Sequence, residues 1–309
     1  MINVTVSPDR LHTHVRMLAE TFCPRNYTHT ENLDRTAEYV RNEFEQARGM
    51  VSEQLFEMEG KTYRNVIATF GPATGERIVV GAHYDACGEL PGADDNASGV
   101  AGLIELAYLL GRSNLRIRLD LVAYTLEEPK LLDAGGDGLF RTVGGSAVHA
   151  ESLRVQGAAV RLMLSLEMIG YFSEEPGSQT YPSPIFRLLY PSPGNFALVV
   201  GRLQDFWLAR KITRLMRTAS PLPVYSLSAP AWLKGVDWSD HYNYWKRNYP
   251  ALMITDTAFN RNREYHKSGD TADRLDYKRM ALVVEGVYAA VRHIAENNSK
   301  GADVGNDAK

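Results

Sequence analysis

The sequence predicts an α/β protein: a three-layer α/β/α sandwich around a central mixed, mainly parallel sheet. Two observations carry this. Short apolar runs alternate with helical periodicities along most of the 309 residues. The words richest in His, Asp and Glu mostly follow directly on an apolar run, and in open α/β sheets sites collect beyond the carboxyl ends of strands.

The elements read as follows. Ser7-Pro8 opens a helix in which Leu11, Val15, Leu18 and Phe22 keep helical spacing. A second helix carries Ala37, Val40 and Phe44. Tyr63 to Phe70 and Arg77 to His83 are strand-like runs. Ala97 to Leu110 is apolar on several sides and reads as a buried helix. Arg116 to Thr125 and Arg161 to Leu166 read as buried strands, with Phe196 to Val200 and Ala251 to Thr255 as two more. Asp276 caps a long last helix from Tyr277 to about Asn297. Residues 1–298 form one domain without internal repeats, and 299–309 a polar tail expected to be disordered. The loop Tyr171 to Gly194, with Pro176, Pro182, Pro184, Pro191 and Pro193, is expected to wall a pocket.

At 44% hydrophobic residues and a formal charge of −3 the chain can bury a large core. It has no basic cluster for nucleic acid, and no apolar run nears the ~18 residues of a membrane span. The first ten residues lack a signal-peptide pattern, so the expected location is cytoplasmic. Cys23 and Cys87 give no disulfide framework. Cys87 follows His83 by four positions, yet reads better as a small semi-buried side chain than as a ligand.

Five residues could bind divalent metal: His83, Asp95, Glu128, Glu167 and His266. Two imidazoles and three carboxylates, one able to bridge, suit two adjacent zinc ions, with cobalt or manganese as substitutes. Each lies in a distinctive word: G-A-H-Y-D (Gly81 to Asp85), P-G-A-D-D-N-A-S-G (Pro91 to Gly99), T-L-E-E-P (Thr125 to Pro129), S-L-E-M-I-G (Ser165 to Gly170) and E-Y-H-K-S-G-D-T (Glu264 to Thr271). Asp85 could hold the second imidazole nitrogen of His83. Singly, such words are often turns, caps or solvated pairs. Glu167 is harder to dismiss, because a carboxylate ending a buried strand is costly unless paired. His12 and His14 read as residues of the first helix, His29 as a polar-loop residue, and His149 and His293 as helix surface residues, whereas Asp240 and His241 could stand near a pocket.

Five such words in this order resemble the di-zinc exopeptidase family of bacterial leucyl-type aminopeptidases, glutamate carboxypeptidases and glutaminyl cyclases, from about Asn65 to Tyr277. The resemblance implies a phosphorylase/hydrolase-like fold of zinc exopeptidase type. It implies that Asp95 bridges both metals, often through a cis peptide to Asn96, and that Glu127 is the general base beside ligand Glu128. The fourth ligand in the family is most often Asp, where this chain has Glu167. The implied activity is that of a di-zinc aminopeptidase acting on peptides with a free N-terminus. Glu127 would shuttle the proton of a bridging water activated by the metals, and Tyr265 would donate to the oxyanion. The rivals are a single-zinc glutaminyl cyclase and a catalytically inactive binding member. Tyr171, Phe172, Trp232, Trp238, Tyr242, Trp245 and Phe259 are candidate pocket walls.

Overall fold

A computed structural model describes residues 5–128 and 142–296; Pro129 and the tail 299–309 lie outside them. Helix α1 (Pro8–Arg16) starts where expected: Ser7 accepts from the amide of Arg10 and proline stands at the first turn. Then come α2 (Thr30–Gln46), β1 (Met50–Met58), β2 (Lys61–Phe70), β3 (Arg77–His83), α3 (Gly99–Leu110) and β4 (Arg118–Tyr124). Next are α4 (Gly145–Val155), β5 (Val160–Glu167), β6 (Ala197–Gly201), α5 (Phe206–Ala219), β7 (Val224–Ser228), β8 (Ala251–Thr255) and α6 (Tyr277–Glu296).

The strands form one sheet in the order β1-β2-β4-β3-β5-β8-β6-β7. Its centre, β4-β3-β5-β8, is parallel, while β2 and β6 run antiparallel to β4 and β8. Side chains of a strand alternate between the two faces. Ile78, Val80 and Ala82 of β3, with Leu162, Leu164 and Leu166 of β5, join a core with residues of α1, α2, α3, α5 and α6. Val79, Val122, Tyr124 and Met163 meet the other layer, built by α4 and the short helix His241–Trp245. Helices on both faces explain why the central strands are apolar runs rather than alternating patterns. This is the three-layer arrangement expected.

β1, β7, α4 and α5 are additions to the elements expected. β1 is an edge strand with Met50 and Leu55 exposed, so burial imposes no clean alternation on its sequence. α5 did carry a helical signal, since Ala209, Ile212, Leu215 and Met216 repeat at helical spacing and are buried.

His149 corrects a surface reading. It is buried, with Nδ1 2.5 Å from the Tyr244 hydroxyl, itself 2.7 Å from that of Tyr124. Burial pushes its pKa down from 6.5 to about 4. A lowered folded-state pKa contributes stability that is present above 6.5 and is lost as pH falls toward 4. The limit of that loss is roughly 3 kcal/mol by linkage. His149→Phe should therefore flatten the fall of urea-unfolding stability across this window relative to wild type. Parallel pH profiles would show that His149 contributes none of it.

Candidate active site and metal centre

The parallel centre of the sheet delivers the candidate residues to one edge. His83 ends β3 and pairs with Tyr124 at the end of β4, while Glu167 ends β5. Because Gly81 pairs with Ser165, His83 stands level with Glu167. Glu127 and Glu128 follow β4 after a short turn. Asp95 comes from the turn before α3, and Tyr265 and His266 from the loop between β8 and α6.

The Asp95 turn is held on every side. The Asp95–Asn96 peptide is cis, as the resemblance implied. Asn96 donates to the carbonyl of Leu166 (2.8 Å) and accepts from the amides of Gly99 and Met168 (3.1 Å each), tying the turn to the end of β5. Gly99 is obligatory, since a Cβ there would lie 2.3 Å from Asn96 Oδ1 and 2.6 Å from the Leu166 carbonyl. Asp270 accepts from the amides of Asp94 and Asp95, and buried Arg25 donates to the carbonyls of Tyr84, Pro91 and Gly92.

All five proposed metal ligands converge. His83 Nε2 lies 3.4 Å from Asp95 Oδ1 and 3.4 Å from Glu167 Oε2. His266 Nε2 lies 3.1 Å from Asp95 Oδ2 and 3.1 Å from Glu128 Oε2. Asp95 thus turns one oxygen to each imidazole. Glu127 Oε2 is 3.9 Å from His83 Nε2. Glu167 reaches the cluster with its longer arm and accepts from Ser239 Oγ at 2.8 Å. Asp85 does more than expected. Its carbonyl and Oδ1 face His83 Nδ1 at 3.3 and 3.6 Å, and its carboxylate accepts from the amides of Glu127 and Glu128. Tyr265 stacks on His266 with ring centroids 3.9 Å apart. Leu126, Met168 and His266 hold φ values of 61°, 49° and 54°, a conformation unfavourable for side-chain-bearing residues that tends to persist at functional sites.

The electrostatics are those of a site suited to cations. Burial, then Asp95, pushes the Glu128 carboxyl up to about 7. Burial likewise raises Glu127, reinforced by Glu167 and Glu128, and it raises Glu167 against the opposing pull of His83. Burial disfavours charge on His266 and His83, but the surrounding carboxylates outweigh it and hold both imidazoles well above their usual range. His83 Nε2 and His266 Nε2 are aimed at carboxylate oxygens, and buried Glu128 Oε1 has no hydrogen-bond partner among the described residues. An unpartnered buried carboxylate oxygen, beside imidazole nitrogens that converge on shared carboxylates, is what divalent cations would satisfy, so the residues fit two metal ions.

Several neighbours went unread in the sequence. Arg25, Asp94, Asp270 and Ser239 brace the site through long-range contacts that leave no local pattern. Cys87 joins Glu128 and His266 in a second potential metal-holding group, beside that of His83, Asp95 and Glu167. Asp240 is buried and pushed up to about 7 by that burial, offset in part by His83. His241 instead turns Nε2 to the Val236 carbonyl and packs edge-on against Trp245.

A cleft of about 800 Å³, counting the part open to solvent, adjoins Glu167 and Tyr265. Tyr181, Pro182, Phe186 and Tyr190 of the proline-rich loop wall it, as expected for that loop. Of the seven proposed aromatic walls only Trp238 and Phe259 line it; Trp232 is 83% exposed and Phe172 packs into the core.

Residues 65–192 match the model of peptidase family M28. The chain is 46% identical over 289 residues to "Uncharacterized protein YfbL" of Escherichia coli (strain K12), covering 91% of this chain and 86% of that protein. It is 25% identical over 233 residues to Leucine aminopeptidase 1 of Coccidioides posadasii (strain C735), spanning 70% of this chain and about half (52%) of that protein. Among solved structures, the LapA aminopeptidase of Legionella pneumophila superposes with a TM-score of 0.72 at 19% identity, covering 94% of this chain and 72% of LapA. The glutaminyl cyclase of Bacteroides thetaiotaomicron superposes with a TM-score of 0.73 at 18% identity, covering 94% and 98%. At such identities the superpositions speak to the fold alone. The chain is a member of peptidase family M28. Its fold is that of the M28-type aminopeptidases and glutaminyl cyclases. No helix among the described residues is long and apolar enough to cross a membrane.

Proposed function

We propose that this protein is a di-zinc aminopeptidase that hydrolyses the first peptide bond of substrates with a free N-terminus. The observation that carries the reading is Asp95, whose two oxygens face His83 at 3.4 Å and His266 at 3.1 Å, so that one carboxylate joins two imidazole–carboxylate clusters. His83 and Glu167 would hold one zinc, Glu128 and His266 the other, with Asp95 shared. When bound, the pair would acidify a water and polarise the scissile carbonyl. Glu127 takes the proton of the attacking water and returns it to the leaving amine. Tyr265 donates its hydroxyl to the developing oxyanion. The surrounding carboxylates orient the substrate's ammonium. Phe196, Leu198, Val200 and Met253 make the adjoining cleft apolar, which suits an apolar first side chain.

The test pairs metal analysis with a substrate panel on zinc-loaded protein. Two zinc ions per chain are expected, with cleavage of aminoacyl-arylamides that falls at least ~10-fold when the amine is acetylated, given that a charge-assisted hydrogen bond is worth roughly 1.5–3 kcal/mol. Equal rates on free and acetylated substrates would overturn the exopeptidase polarity. Pyroglutamate release from N-terminal glutamine without peptide cleavage would assign a cyclase. Zinc well below one per chain, unrecovered on addition, would leave a binding member.

A further inference from the structure

Cys87 lies on the wall of the second proposed metal position. Its Sγ, an imidazole nitrogen of His266 and a carboxylate oxygen of Glu128 all fall within 4.8 Å of one another. Cys87 and Glu128 are 3% and 5% exposed, and both line one small cavity of about 160 Å³ with Asp95 and His266. A second observation points to a ligand there: Glu128 Oε1 is buried with no hydrogen-bond partner among the described residues, on a side chain only 5% exposed.

Resting on the di-metal reading above, we propose that Cys87 is a thiolate ligand of the metal held by Glu128 and His266. That metal would then meet one sulfur, one nitrogen and carboxylate oxygens from Glu128 and Asp95. The other metal, at His83, Asp95 and Glu167, meets only nitrogen and oxygen. As the metal–sulfur bond forms, the thiol proton leaves to solvent and the sulfur keeps its electron pair, so no oxidant or reductant is required. A fourth protein donor still leaves room for reacting groups, because catalytic zinc can expand to five positions. Thiolate is a soft donor, so this half of the centre should prefer zinc or cobalt over manganese, while the His83 half accepts all three. The centre is therefore asymmetric in its chemistry although Asp95 is shared.

Cobalt(II) substitution tests this without relying on turnover. Wild-type protein loaded with two cobalt ions per chain should show a near-ultraviolet thiolate-to-cobalt charge-transfer band that saturates with one of the two ions. C87S should lose the band and bind one cobalt at least ~10-fold more weakly, the lower end of the loss seen for outer-shell partners. C23S should keep it, since Cys23 instead donates to the Leu90 carbonyl. Two bound cobalt ions with ligand-field bands but no charge-transfer band would overturn the role of Cys87 and leave the di-metal reading standing. Failure to bind two cobalt ions would overturn both. The wild-type spectrum alone decides the matter if C87S does not fold.

Discussion

Glu127→Gln is expected to keep its fold and its metals and to lose ~10²–10⁴-fold in kcat, the usual contribution of a general acid–base group. The amide is isosteric but cannot take a proton. Glu127 has the right placement: its Oε2 is 3.9 Å from His83 Nε2, and it belongs to neither of the two potential metal-holding groups. Its main chain is fixed independently of its carboxylate, because Asp85 accepts from the Glu127 and Glu128 amides. The substitution should therefore leave the neighbouring Glu128 in position. Zinc content and melting temperature like wild type, with a collapsed rate on an aminoacyl-arylamide, is the expected pattern. A near-normal rate would remove Glu127 from the base role.

Asp95→Ala should have a different and wider effect, the loss of both metals. A ligand belonging to one cluster, when removed, leaves the other cluster its full set. Asp95 offers one oxygen to each imidazole, so its removal takes a donor from both. Removal of even an outer-shell partner typically costs ~10–100-fold in affinity, and a shared ligand should cost at least that at each metal. Dialysed Asp95→Ala protein is expected to hold less than one zinc per chain and to be less active than Glu127→Gln. Retention of two zinc ions at wild-type affinity would show that Asp95 does not bridge.

The candidate ligands were legible because each rides on a strong local signal. His83 and Glu167 end apolar strands, Asp95 lies in a turn rich in Gly, Asp and Asn, and Glu127 with Glu128 closes a third strand. Such words keep their chemistry whatever the surrounding chain does. The braces were not legible. Asp270 reaches the Asp94 and Asp95 amides across more than 170 positions, and Ser239 reaches Glu167 across 72. Ordinary Asp and Ser residues in loops carry no periodicity that predicts such a partner. The surface reading of His149 failed for the same reason. Its burial comes from the layer that folds over α4, where Tyr244 arrives from 95 positions away.

The sequence by itself determined the α/β alternation, the strands β2, β3, β4, β5, β6 and β8, and the residue types able to bind metal. These follow from burial on both sheet faces and from the donor chemistry of single side chains, both local properties. Only the tertiary structure decided the strand order, the two antiparallel flanks, the aromatics that wall the cleft and the approach of Cys87 to Glu128 and His266. Those depend on which distant segments share space. A two-residue periodicity states which face a residue occupies, but not which strand lies beside it or which loop closes over its end.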